Sequence, residues 1–281
     1  MKVLLTGDRG RLGLAARDSL AEAGHEVSGF DVDRGDIRDA AAVRSALRGM
    51  DAVVHLAGLA DDRAGAPEDV LTVNLLGTGN VLAGAQAEGV GRVVYASSGK
   101  ALGMLEREPD YLPVDDRHRG MPARPYGLSK WLAEEMCEAF TQSTGIATIC
   151  LRPVLVLDAD GYGRLAGVSE LPPPDTAAAW HLGVFVDVHD VAAAMVASIE
   201  CPDPGHARLL LCADDIASER PSAELAAEHL PNVPWRDGSP AEGRAALIDC
   251  SAAKELLGWK PTHGWLDRPQ AQFAARHELR Q

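Results

Sequence analysis

Several things are missing from this sequence, and each absence excludes something. The five cysteines, Cys137, Cys150, Cys201, Cys212 and Cys250, contain no C-x-x-C pair. Reduced, mostly buried thiols are therefore expected rather than disulfides or metal ligands, and no metal site is assigned. No basic run interrupts a formal net charge of −14, which argues against nucleic acid as a partner and leaves solubility as the plain account of the acidity. No apolar run is long enough to span a bilayer. The chain starts directly in a strand, without a charged-then-apolar leader, so cytoplasmic residence with no membrane partner is the expectation. Neither a repeat nor a low-complexity tract is found. What is present is a chain of 281 residues that is 46% hydrophobic, enough for one α/β domain carrying an appendage.

The N-terminus is the first informative stretch. Lys2-Val-Leu-Leu-Thr6 is an apolar run of strand length, followed at once by Gly7-Asp-Arg-Gly10-Arg-Leu-Gly13 and a helical pattern of Leu12, Ala15, Ala16 and Leu20. Strand, glycine turn and helix together form the context of a dinucleotide loop. Gly7 permits the tight turn, Gly10 lets backbone approach a pyrophosphate, and Gly13 lets helix pack on strand. Arg9, Arg11 and Leu12 join them as cofactor-binding candidates. Pyrophosphate is expected at the helix N-terminus, where free N–H groups and the dipole favour an anion. A second apolar segment, Glu26–Phe30, ends in Asp31, eighteen positions after Gly13. A carboxylate there accepts from the ribose hydroxyls of NAD and repels the 2′-phosphate of NADP, although nearby Arg34 softens that argument. The plain alternative is a glycine-rich turn beside an unrelated surface aspartate.

Strand-like and helix-like segments alternate through the first two-thirds, as in a parallel sheet covered by helices. Helices are expected at 39–48, 68–88 and 126–143, and strands at 51–57, 92–97 and 146–151. The expected fold class is α/β, a doubly wound parallel sheet with a small interleaved C-terminal substrate lobe. Residues 1–155 form the cofactor domain and 156–180 a loop-rich excursion, where Leu171-Pro-Pro-Pro-Asp175 rules out helix and central strand. Residues 181–200 return to the main domain with a strand at 184–188 and a helix at 189–200. Residues 201–281 make the small lobe, with a strand at 208–212 and helices at 221–229 and 251–257.

Tyr126-Gly-Leu-Ser-Lys130 sets a phenol and an ammonium on one face of a helix. A free tyrosine has a pKa near ~10, and a cation beside it favours the phenolate. Alone, the motif reads more readily as an amphipathic helix with a buried ring and a solvated lysine. Ser97-Ser98-Gly99 ends the fourth strand, at the rim where ligands of open parallel sheets bind. A hydroxyl there can steady a substrate oxygen during proton transfer, although serines alone also read as small residues closing a strand.

Taken together, the sequence resembles the extended short-chain dehydrogenase/reductases, the NAD-dependent epimerase/dehydratase family. The resemblance is carried by Thr6–Gly13, Gly35-Asp-Ile-Arg-Asp39, His55-Leu-Ala-Gly58, Val73-Asn-Leu-Leu-Gly-Thr-Gly-Asn80 and Tyr95-Ala-Ser-Ser-Gly99. It continues through Tyr126–Lys130, Leu151-Arg-Pro153, Phe185-Val-Asp-Val-His-Asp-Val191 and Leu256-Leu-Gly-Trp-Lys-Pro261. It implies a Rossmann fold with Tyr126 as acid/base, Lys130 holding the nicotinamide ribose and lowering the tyrosine pKa, and Ser98 as catalytic serine, with Ser97 the adjacent alternative. Asp36 and Ile37 are expected to contact adenine. Leu56, Ala57 and Gly58 would line the pyrophosphate and nicotinamide ribose, beside Ala96 and Ser97, and Pro153 with Leu155 the carboxamide end. Asn74 is placed with the cofactor candidates, though pinning helices together suits it better. His55, His189 and Asp190 read as strand-end packing and a helix start.

Departures from the family pattern bear on substrate. Gly99-Lys-Ala-Leu-Gly103 replaces a segment that ends Tyr-Gly in many nucleotide-sugar members. Arg152-Pro-Val-Leu replaces an Arg-Tyr-Phe-Asn type of segment, and the second lobe is short. These points favour a small polar substrate such as a free sugar, sugar acid or lactone precursor, with a residual similarity to uronate dehydrogenases near the C-terminus. Tyr162, Arg164, Trp180 and His181 are candidate pocket residues. Three readings stay open: an oxidoreductase, an epimerase or dehydratase that retains NAD, and a non-catalytic dinucleotide sensor. A homodimer through the helices at 68–88 and 126–143 is implied by the resemblance, with Trp131, Met136 and Phe140 either in that seam or in the core.

Overall fold

The computed structural model describes residues 1–103, 106–165, 183–236, 238 and 240–266. Among them are strands β1 (Lys2–Thr6), β2 (Glu26–Phe30), β3 (Ala52–His55), β4 (Arg92–Ala96), β5 (Ala147–Pro153), β6 (Leu155–Leu157), β7 (Phe185–Asp187) and β8 (His206–Leu211). The helices are α1 (Arg11–Glu22), α2 (Ala40–Leu47), α3 (Pro67–Leu71), α4 (Gly77–Glu88), α5 (Pro125–Thr144), α6 (Ala159–Arg164), α7 (Val188–Glu200), α8 (Ser222–His229) and α9 (Ser251–Leu257). Six strands form one parallel sheet in the order β2-β1-β3-β4-β5-β8. β6 and β7 pair separately.

Side-chain alternation explains this layering. Successive strand residues face opposite sides, and here both sides are apolar. Val3 and Leu5 enter one core with Val54 and Val94, while Leu4 enters the other with Val53 and Val93. A sheet apolar on both faces needs helices on both. Ala16 and Leu20 of α1 and Val191 and Met195 of α7 cover the first face. Leu47 of α2, Val81 of α4, and Ala133 and Cys137 of α5 cover the second. β2 and β3 flank β1, so the chain leaves β1 in opposite directions and opens a crevice beyond its C-terminal end.

Three differences from the sequence reading have physical reasons. Residues 206–211, assigned to the small lobe, add to β5 as the sixth strand of the main sheet. Arg208 and Leu210 there meet Cys150 and Arg152 in register, a long-range pairing with no local signature. The excursion from 156 contains β6 and α6, and Asp158 caps α6 through the Gly161 N–H at 2.7 Å. Leu171–Asp175, Trp180 and His181 lie outside the described residues. The helix expected over 68–88 is α3 and α4 joined by a π turn at Thr72–Leu76. All five cysteines are free and buried, and no described helix is long and apolar enough to cross a membrane.

One charged pair lies in the second core. Glu134 of α5 is 0% exposed and Arg152 of β5 is 3% exposed. They join through two hydrogen bonds of 2.9 and 2.7 Å, and the Ser97 hydroxyl donates to the same carboxylate. Removing one member of such a pair leaves the other charge buried and unpaired. Glu134→Ala should therefore cost about 3–5 kcal/mol, measured by urea unfolding. A loss below about 1 kcal/mol would show that the pair contributes little.

Candidate active site

The crevice beyond β1 continues into a cleft of about 1070 Å³ along the C-terminal edge of the sheet. Its floor begins at the glycine turn. Gly7 has φ +71°, and a Cβ there would lie 2.7 Å from the Ala57 nitrogen. A Cβ on Gly13 would lie 2.2 Å from the Gly7 carbonyl oxygen, so only glycine lets α1 start this close to β1. Gly10 is the N-cap of α1 and brings no side-chain cap. The first-turn N–H groups of a helix have no intrahelical acceptor, and the first-turn residues Arg11, Leu12 and Gly13 line the cleft.

Asp31 follows β2 and accepts from the Arg9 N–H at 3.0 Å and the Val32 N–H at 2.8 Å, which fixes its carboxylate at the cleft wall. Asp36 pairs with Arg38 through both oxygens, and that guanidinium holds the Asp36 carboxyl below its usual range. Ile37 lies beneath α4 against Gly77. Leu56, Ala57 and Gly58 continue the wall after β3, and Pro153 and Leu155 close the opposite side. Arg34 turns away to the Gly29 carbonyl.

The far end is built by β4 and α5. Three consecutive residues of the strand end each meet one residue from a single stripe of the helix. Lys130 Nζ donates to the Ala96 carbonyl at 2.7 Å, Ser97 donates to Glu134, and the Ser98 hydroxyl faces the Tyr126 phenol. Ser97 is thus committed to the core pair, and Ser98 is the hydroxyl offered to the cleft. Asp62, sixty-four residues before Tyr126, accepts the Tyr126 N–H at 2.8 Å and satisfies the start of α5.

Burial dominates the electrostatics here. It pushes the Tyr126 phenol up to about 12, with Asp61 and Asp62 adding to the rise and the Ser98 hydroxyl opposing it. It pushes the Lys130 ammonium down to about 8 against the pull of Glu134. The expected lowering of the tyrosine pKa by Lys130 is therefore outweighed. Its Nζ lies 5.7 Å from the Tyr126 ring centre and donates to a carbonyl instead.

Other candidates fall elsewhere. Asn74 is 2% exposed and is not part of the cleft wall. At the centre of the π turn it bonds the Leu59 N–H and carbonyl and the Ser129 hydroxyl, fixing the loop after β3 to α5. Tyr162 is buried in a cluster with Leu157, Phe185 and Trp265 and bonds Asp187, while Arg164 is exposed at the end of α6. Neither lines the cleft. His55 lies between Thr6 and Thr78, where burial lowers its pKa to about 3. Asp190 anchors Thr262 and His263. Two residues of this end, Asp62 and Lys100, went unread because nothing local distinguishes them.

A family model described as the NAD dependent epimerase/dehydratase family matches residues 3–163. The 2-alkyl-3-oxoalkanoate reductase of Stenotrophomonas maltophilia is 34% identical over 170 residues, covering 56% of this chain and 51% of that protein. The uronate dehydrogenase of Pseudomonas syringae pv. tomato is 29% identical, covering 54% of this chain and 58% of that protein. The chain thus spans little more than half the length of these curated relatives. A UDP-glucose 4-epimerase of Corynebacterium glutamicum is 25% identical, with 94% of this chain and 92% of that protein covered. Among solved structures, a short-chain dehydrogenase/reductase superfamily protein of Agrobacterium tumefaciens, determined with NAD bound, shares the fold. Its TM-score is 0.76 at 22% identity, covering 99% of this chain and 98% of that one. The family match extends over more than half of the 281 residues, and this chain belongs to the NAD-dependent epimerase/dehydratase family.

Proposed function

We propose that this protein is an oxidoreductase that moves hydride between NAD and a secondary alcohol of a small, polar, sugar-like substrate. The observation that carries the reading is the placement of Ser98, Tyr126 and Lys130 at one end of the cleft whose other end is the glycine cradle. The residues fit NAD on their own geometry. Gly7 and Gly13 leave backbone where a Cβ would collide, the uncapped start of α1 suits a pyrophosphate, and the Asp31 carboxylate is fixed where it would meet ribose hydroxyls.

NAD bound there supplies a hydride acceptor. Tyr126 takes the alcohol proton, Ser98 holds the substrate oxygen, and Lys130 places positive charge behind the phenol. A buried phenol at about 12 is a weak base at neutral pH, so proton removal depends on raising the phenolate fraction. Oxidation should therefore speed up as pH rises through the neutral range toward the phenol pKa of about 12, a limb that belongs to the base form. Tyr126→Phe should lower kcat/KM by about 10²- to 10⁴-fold and abolish that limb, read by nicotinamide absorbance. A variant that keeps wild-type activity would remove Tyr126 as the base, and wild-type protein that binds NAD but turns over no substrate would return it to the sensor class.

Cofactor choice rests on Asp31. Asp31→Ser should weaken NAD binding and raise the ratio of NADP to NAD use by about tenfold, the scale of one lost charge-assisted contact. An unchanged ratio would mean that another residue selects the cofactor.

A second reading is favoured by the match over nearly the whole length of a UDP-glucose 4-epimerase. In that case NAD stays on the enzyme and hydride returns to the product. Protein that purifies with stoichiometric NAD and turns substrate over without net absorbance change would favour it.

We also propose a homodimer through α4 and α5. Leu128, Leu132, Met136 and Phe140 repeat every four residues along α5 and are all half-buried, and Leu76 beside α4 is 48% exposed. Light scattering should report about twice 29.7 kDa, and the monomer mass would remove the proposal.

A further inference from the structure

Six cationic side chains among the described residues line the cleft, and five of them are engaged. Arg9 pairs with Asp33, Arg11 with Asp158, Arg38 with Asp36 and Arg63 with Asp61. Lys130 donates to the Ala96 carbonyl. Lys100 is the sixth, and among the described residues no hydrogen-bond acceptor or carboxylate partners its ammonium. Its neighbour Glu106 is in contact with Arg124 and feels the Lys100 charge only beyond ion-pair distance.

The location of this cation is fixed by backbone. Lys100 sits in the short 3₁₀ turn Gly99–Leu102, and its N–H donates to the Ser98 hydroxyl at 3.2 Å. Its carbonyl packs so closely on α5 that a Cβ at Gly127 would lie 2.7 Å away. The Nζ lies 5.3 Å from the Tyr126 ring centre, on the same residue that Lys130 flanks at 5.7 Å. An ammonium held at the reacting end, part-buried and with no carboxylate in ion-pair contact among the described residues, lowers its free energy by taking an anion there. The surroundings make that anion selective, because Asp61 and Asp62 lie near the same phenol and repel negative charge not compensated by the lysine.

We propose that Lys100 binds a carboxylate carried on the same carbon skeleton as the reacting oxygen, making the substrate a hydroxy or oxo acid rather than a neutral polyol. This rests on the assignment of the cleft to hydride transfer. A cation–π contact with Tyr126 alone accounts for the position of Lys100, but it predicts equal effects on charged and neutral substrates.

The test separates the two ideas by using binding as well as turnover. Calorimetry on NADH-saturated wild-type protein would compare 3-hydroxybutanoate with 3-hydroxybutanamide, and glucuronate with glucose. Each acid should bind at least about tenfold tighter than its neutral partner, the scale of a charge-assisted hydrogen bond. Lys100→Met should remove that preference with NADH affinity unchanged, and Lys100→Arg should retain it. Nicotinamide absorbance with NAD follows turnover of the same four compounds, where kcat/KM should show the same preference. No preference for either acid in wild type, or a Lys100→Met effect equal on acid and neutral partner, overturns the carboxylate site. A preference in binding with no turnover of any compound keeps the site and counts against hydride transfer.

Discussion

The seam between the end of β4 and one stripe of α5 is the constraint on which the rest of this site depends. Ala96, Ser97 and Ser98 are consecutive, and Tyr126, Lys130 and Glu134 are successive i+4 neighbours, so a strand end and a helix face meet in register. Each contact serves a different purpose. Glu134 fixes the seam to the core through Arg152, Lys130 fixes it to the strand carbonyl, and the Tyr126 and Ser98 hydroxyls are left to the cleft. A slip of one residue in either element would exchange the buried serine for the exposed one. The deeply buried ion pair is thus better understood as a register device than as a source of stability, since burying two charges costs much of what their attraction returns.

The same seam sets the local electrostatics. A phenol must be dry enough to make a specific contact, yet dryness disfavours its charged form. Lys130 faces the mirror-image cost, since burial disfavours its ammonium. The two shifts move apart, Tyr126 up to about 12 and Lys130 down to about 8, which favours neutral tyrosine beside neutral lysine over tyrosinate beside lysinium. Lys100, nearer solvent than Lys130, adds positive charge at the phenol without sharing the full cost of burial.

How much of this was legible in the sequence depended on whether a residue acts through its neighbours in the chain. The glycine turn, the alternation of strands and helices, and Tyr126 with Lys130 are local patterns, and the structure places them as their spacing implies. Asn74 reads in the sequence both as a cofactor candidate and, preferably, as a pin between helices; it sits in a π turn and bonds Leu59 and Ser129, away from the cleft wall. β8 was assigned to the wrong part of the fold because an edge strand is defined by its partner β5, more than fifty residues away, and not by its own composition. Tyr162 looked like a pocket residue and is core, a distinction that turns on the packing of Trp265 over a hundred residues later.

Lys100 shows the converse. In the sequence nothing singles it out within Gly99-Lys-Ala-Leu-Gly103. In the fold it becomes the unmatched charge, because every arginine around the cleft has found an aspartate. A chain with a net charge of −14 has carboxylates in excess, so leaving one cleft cation unpaired is not a consequence of scarcity. The unpaired position coincides with the reacting end, where Ser98 and Tyr126 already specify an oxygen. Two neutral donors and one cation converging from the same seam describe a ligand with a hydroxyl or carbonyl and, a few bonds away, a negative charge.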